Sequence, residues 1–143
     1  MANVTQLVLY VTTGSHLEAD TKGRVFLGIC GREFRCDRPG EDFTRGTKRM
    51  FVFGDGSNVN APEANDPRHP QLIVEDAHTY PMYVRFEQVN SNFWQLEDIW
   101  LIINNEHFLE YRARLTPAHT IWLVNDSGAV IHLYHDHAGH DHP

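Results

Sequence analysis

Two cysteines in 143 residues are too few for the disulfide framework on which small secreted domains depend. Cys30 and Cys36 lie close enough in sequence for a cross-strand contact, but nothing else marks an oxidising compartment, and they read as two free, half-buried thiols. Long hydrophobic runs are missing as well. The longest apolar stretches are strand-sized, far short of the roughly 20 residues that cross a bilayer as a helix. Met1 to Tyr10 has neither a basic start nor a sustained apolar run followed by small residues, so no signal peptide is expected and the expected location is cytoplasmic. Basic charge is scarce: 12 Lys and Arg stand against 19 Asp and Glu, a formal charge of −7 and a pI near 5.7. Such a balance repels phosphate backbones, so nucleic acid is not an expected partner, and anionic lipid would require the few cations to share one face.

Catalytic signatures are also absent. Ser15, Ser57, Ser91 and Ser127 sit in turn-like contexts, and none lies in a Gly-x-Ser-x-Gly elbow. Glu75-Asp76 and Glu97-Asp98 are adjacent carboxylates, which on a strand point to opposite faces and make no acid/base pair. His78, His107 and His119 are isolated and read as surface or core residues. The chain is expected not to be an enzyme.

What the chain does have is a globular composition, 41% apolar, 11% aromatic and 22% charged. Its length suits one domain burying roughly two-thirds of the surface its unfolded form exposes. "QLVLYVTT" (6–13) and "RVFLGIC" (24–30) are β-branched and apolar. "ICGREFRC" suggests a hairpin turning at Gly31-Arg32 or Arg32-Glu33, with a second strand over 33–36. Asp37 to Gly46 reads as a loop and "KRMFVFG" (48–54) as a strand. Asp55 to Pro70 has three prolines and almost nothing apolar, the longest irregular run of the chain. "QLIVEDA" and "PMYVRFEQV" are strand candidates, the second with Met82, Val84 and Phe86 on one face. "FWQLEDIWLIINN" favours strand by its Ile and Trp content, and "TIWLVNDSGAVIHLY" reads as two strands joined at 125–128. Eight to ten short strands, no amphipathic helix of three turns and no repeat imply an all-β antiparallel sandwich or barrel.

Three blocks of this pattern resemble the PLAT, or lipoxygenase homology, domain, an eight-stranded antiparallel β-sandwich. The family's first block is a strand, Thr-Gly, a ten-residue loop often written "DxxGAGTDAx" and a strand; here Thr13-Gly14 precede "SHLEADTKGR" and Val25. Its second, Phe-x-x-Gly before a strand, is matched by Phe43, Gly46 and "MFVF"; its third, Trp-x-Leu-x-x-Ile/Val, by Trp94, Leu96 and Ile99. The resemblance covers about Leu7 to Leu101, more loosely to Tyr134. It implies a PLAT-like domain over 1–134, with the His-rich 135–143 as a tail expected to lack fixed structure. It further implies a non-catalytic binding or adaptor module that contacts a protein partner or a lipid surface through loops at one end, with calcium as a candidate cofactor. A calcium-dependent peripheral lipid-binding domain is the first alternative.

Calcium takes six to eight oxygen ligands. The loop keeps Gly14 and Thr21, but Ser15 and Lys22 stand where the family motif has aspartates, while Glu18 and Asp20 replace glycines and restore two carboxylates. With Asn90 these residues form the candidate calcium set, set against a plain solvated loop in which Lys22 pairs with Asp20 or Glu18. His16, Leu17 and Phe93 are the candidate apolar contacts with a lipid or partner, and Arg45, Lys48 and Arg49 the one small basic cluster. Trp94 belongs to the core by the family pattern. His135, His137, His140 and His142 crowd the end of the chain, where imidazoles bind borderline metals adventitiously. A small metal-dependent enzyme using them is the second alternative, although "HDHAGHDH" lacks the later residues of a cupin motif.

Overall fold

The computed structural model describes residues 2–16, 21, 23–87, 93–113, 121–123 and 129–135. Among the described residues ten strands are formed: β1 (Gln6–Thr13), β2 (Arg24–Ile29), β3 (Arg32–Arg35), β4 (Lys48–Gly54), β5 (Tyr83–Glu87), β6 (Trp94–Ile103), β7 (Glu110–Arg112), β8 (Ile121–Leu123), β9 (Val130–His132) and β10 (Tyr134–His135). They make two antiparallel sheets. One runs β10-β7-β6-β1-β4 with β8 also paired to β6, and the other β3-β2-β5-β9. This is the β-sandwich expected from the alternating strands.

Alternation explains which face each strand buries. Leu7, Leu9, Val11 and Thr13 of β1 point inward, facing Val25, Leu27 and Ile29 of β2 and Val84 and Phe86 of β5. On β6 the period slips. The pairing shifts between Thr12–Asp98 and Thr13–Leu96, so Glu97 is an extra residue, a bulge that keeps both Leu96 and Ile99 inside. Trp94 is fully buried, its ring 5.1 Å from Phe43 and 5.9 Å from Phe86, and its Nε1–H donates to Thr13 Oγ1 at 3.1 Å. One residue thus ties β6, β1, β5 and the 37–47 loop together at one end.

The structure departs from the sequence reading at three places. The β2–β3 turn is Cys30-Gly31, with φ of 55° and 78°, the left-handed pair whose twist suits a two-residue hairpin, one residue earlier than the earliest expected position. "QLIVEDA" forms no strand: Gln71 and Ile73 make isolated bridges and Val74–Ala77 is a single 3-10 turn. Its partner is the N-terminal segment, through Val4 N–H to Leu72 O and Val74 N–H to Ala2 O, each 2.9 Å. Ile121–Leu123 and Val130–His132 do not pair as a hairpin. They join different sheets, on β6 and β5 respectively, and residues 125–128 lie outside the described residues.

Residues 55–70 are irregular but bonded throughout. Asn58 Oδ1 accepts Val52 N–H at 2.8 Å and its Nδ2 donates to Met50 O at 3.0 Å, imitating a further strand on the exposed edge of β4. Asn65 Oδ1 does the same for Arg35 N–H on the edge of β3, at 2.8 Å. Asp66 accepts from the Arg68 guanidinium and backbone, which hold its carboxyl below the ordinary aspartate value. Both cysteines are free and buried. Burial, with Asp76 adding, pushes Cys30 up to about 11, and burial raises Cys36 too, so neither is a reactive thiolate at neutral pH.

Candidate functional site

The end of the sandwich where β1 stops and β4 and β6 begin gathers most of the described residues singled out in the sequence. Gly14 is buried there. Its N–H donates to Gln95 O and its carbonyl accepts Gly46 N–H, both at 2.9 Å, and a Cβ would stand 2.1 Å from Gln95 Oε1. The close approach therefore requires glycine. Thr13 N–H reaches Thr47 O at 2.9 Å, so the 14–16 and 44–47 segments are clamped side by side. Thr21 donates its N–H to Phe43 O at 3.2 Å, and its Oγ1 accepts Gly23 N–H at 2.9 Å.

Outside this clamp lies an aromatic group. Phe93, just before β6, is 47% exposed and Trp122 of β8 is 38% exposed. Trp122 sits opposite Gln95, two residues from Phe93, and the His16 ring meets it edge-on at 5.3 Å. Arg45 belongs to the adjoining 44–47 turn, exposed and without a side-chain partner among the described residues. Lys48 and Arg49 do not join it. Lys48 Nζ lies over the rings of Tyr10 and Trp100 on the outer face of the larger sheet, and Arg49 Nε binds Asp42 Oδ1 at 3.0 Å. The expected basic cluster is thus spread over three environments. Leu17, Glu18, Asp20, Lys22 and Asn90 lie outside the described residues.

Of the candidate calcium ligands, the described pair is Gly14 and Thr21; the Gly14 carbonyl accepts Gly46 N–H and Thr21 Oγ1 accepts Gly23 N–H. Among the described residues no three His, Cys, Asp or Glu side chains are placed to hold a metal ion.

Beside the clamp a cavity of about 340 Å³ opens between the end of the smaller sheet and the 37–44 loop. Arg24, Arg35, Asp37, Glu41 and Asp42 line it, above a floor that includes the buried Phe43. Asp42 accepts from Arg38 N–H and Arg49 Nε, each at 3.0 Å, yet burial still raises its carboxyl above the ordinary value. Arg24 is paired with Glu87 at 2.7 Å. The sequence reading missed this cavity and Trp122. Trp122 was legible as a large ring on a strand flanked by two aliphatic residues, whereas nothing along the chain places Arg24 beside Glu41.

His135 lies in β10. Its Nε2–H donates to Phe108 O at 2.7 Å, and its ring stands 5.2 Å from Tyr111 and 6.3 Å from His78. His78, Met82, Tyr111, His132 and His135 line a second cavity of about 300 Å³. His137, His140 and His142 lie outside the described residues.

No protein-family model matches the sequence, and no curated protein matches it. Solved structures do. The chain is similar to the alpha toxin of Clostridium absonum, at 17% identity and a TM-score of 0.61 over 93% of this chain and 32% of that one. It is similar also to the alpha-toxin of Clostridium perfringens from avian strain SWCP, at 23% identity and a TM-score of 0.59 over 92% and 31%. The chain spans about a third of the length of those toxin chains. At such identities the likeness shows the fold, a β-sandwich that occurs as part of a larger chain. No helix among the described residues is long and apolar enough to cross a membrane.

Proposed function

We propose that the chain is a non-catalytic binding module that docks reversibly on a lipid surface through the Gly14–Gln95 end of the sandwich. The reading rests on the exposed Phe93 and Trp122, set close together with His16 against Trp122. Large apolar rings held at an exposed tip, with a cation beside them, suit the boundary between headgroups and acyl chains. The PLAT resemblance supports the same class of partner. Fully burying a large side chain is worth about 1.5–3 kcal/mol. Phe93 and Trp122 are already about half-buried in the fold, so together they offer about 1.5–3 kcal/mol on docking. Arg45 adds about 1 kcal/mol on an anionic surface. Binding of this strength is weak and reversible.

Vesicle co-sedimentation tests the reading, with Phe93→Ala and Trp122→Ala expected to weaken binding. Calcium is tested in the same experiment. With lysine at position 22, where an ammonium group repels a cation, docking is expected to persist in chelator. Binding that required calcium and was lost in Asp20→Ala would replace this account with a calcium-bridged one. If no vesicle composition bound, the lipid reading would fall and a protein partner would remain for the same end.

A further inference from the structure

The cavity beside the docking end holds charges of both signs that the fold does not use. Asp42 is engaged by Arg49 and the Arg38 backbone, and Arg24 by Glu87. Arg35, Asp37 and Glu41 remain, with no hydrogen bond or ion pair to their side chains among the described residues. Arg35 ends β3 and Asp37 lies two residues on, beyond the buried Cys36, and both contribute to the cavity wall. Both line the cavity, and no salt bridge joins them. A guanidinium fork takes the oxygens of a phosphate or carboxylate in a bidentate pair, and two carboxylates accept from the three N–H donors of an ammonium group.

We propose that this cavity binds a zwitterion carrying a phosphate-type oxyanion and a primary amine, the oxyanion on Arg35 and the ammonium between Asp37 and Glu41. The volume of about 340 Å³ lies at the small end of the range for ligand pockets, the size of a headgroup rather than an acyl chain. The primary amine follows from what lines the walls. Quaternary ammonium groups are held by open aromatic faces. Phe43 is the aromatic residue that lines the cavity, and it is 5% exposed with its ring packed on Phe51 and Trp94. Carboxylates that accept hydrogen bonds prefer an amine that can donate them. Two sources carry this chemistry, an ethanolamine phospholipid headgroup and a free phosphorylated amine. The proposal rests on the lipid-surface reading for the source and on the cavity alone for the chemistry.

The experiment is calorimetric titration of the intact protein with soluble glycerophosphoethanolamine and glycerophosphocholine, alongside co-sedimentation with phosphatidylcholine vesicles with and without phosphatidylethanolamine. Saturable binding of the ethanolamine compound, at least tenfold tighter than the choline compound, is expected. Arg35→Ala should weaken it tenfold or more, Arg35→Lys should restore part of it, and Asp37→Asn with Glu41→Gln should erase the preference for ethanolamine. Arg35 and Glu41 are exposed, Asp37 is half-buried, and none has a side-chain partner among the described residues, so melting temperatures should stay unchanged, which separates lost binding from lost folding. Soluble binding without vesicle binding would keep the cavity's ligand, assign it to a free zwitterion and overturn the lipid-surface reading. Vesicle binding indifferent to headgroup and to Arg35→Ala, with no heat from either soluble compound, would overturn the cavity proposal and leave the lipid-surface reading standing.

Discussion

Residues 55–70 and residues 37–47 are both polar, glycine- and proline-marked runs between strands, and several of their side chains are put to opposite uses. Asn58 and Asn65 bond the edges of β4 and β3 and Asp66 locks onto Arg68, so that segment finishes the sheets. In and beside the other run, Arg35, Asp37, Glu41 and Arg45 have no side-chain partner among the described residues, and Phe93 and Trp122 face solvent nearby. Polar composition alone does not separate the two. What separates them is where the hydrogen bonds go, and binding capacity resides where they do not close on the protein itself.

The contrast breaks most severely at the residue that anchors the docking end. Trp94→Ala removes a fully buried ring and its bond to Thr13, a loss of about 3–5 kcal/mol expected in urea unfolding. Next comes the sealed segment: Asn65→Ala leaves Arg35 N–H without its acceptor and should lower stability by about 1–3 kcal/mol, with vesicle binding of the folded protein unchanged. Phe93→Ala and Trp122→Ala should do the reverse. Each should weaken vesicle binding roughly fivefold, about 1 kcal/mol for a half-exposed ring, and leave the urea midpoint nearly where it was.

The smallest effect is a difference in pH slope between two aspartates. Asp66 has a lowered carboxyl value, held down by the Arg68 guanidinium, so its stabilising contribution is present above the ordinary aspartate value of 3.8 and is lost as pH falls through the lower folded value. Asp42 has a raised value because of burial, so its contribution favours folding below 3.8 and is lost as pH rises through the higher folded value. Unfolding measured across the acid range should show Asp66→Asn lagging the parent protein most at neutral pH. Asp42→Asn should lag most in acid.

The sandwich was legible because β1, β4 and β5 carry alternation or apolar runs, and because the Ile and Trp content of β6 favoured strand where its period alone left helix open. "QLIVEDA" misled because a short apolar run looks the same whether it pairs in a sheet or bridges to the chain's own start, and only Ala2 and Val4 decide that. β7 and β10, of three and two residues, are too short to show any period. Glu97 hides its bulge for a similar reason: one extra residue is visible only against the register of β1. At the Gly14–Gln95 end of the sandwich, the positions of Gly14 and Trp94 were legible from the motifs, whereas the exposure of Phe93 shows only in the fold. The cavity was not, since Arg24, Arg35 and Glu41 meet only through the pairing of β2 with β3 and the fold of the loop beyond.

The two ends also offer a control in one side chain. Phe108 follows β6 at the far end and is 68% exposed, more than Phe93 or Trp122. If any exposed ring sufficed for lipid contact, Phe108 would matter most. The decisive measurement is co-sedimentation with vesicles of Phe93→Ala/Trp122→Ala beside Phe108→Ala, each shown to unfold like the parent protein. The account expects the double variant to lose roughly 20-fold or more in affinity and Phe108→Ala to bind as the parent does. Equal binding by the parent protein and the double variant, or a larger loss in Phe108→Ala, would contradict docking through the Gly14–Gln95 end.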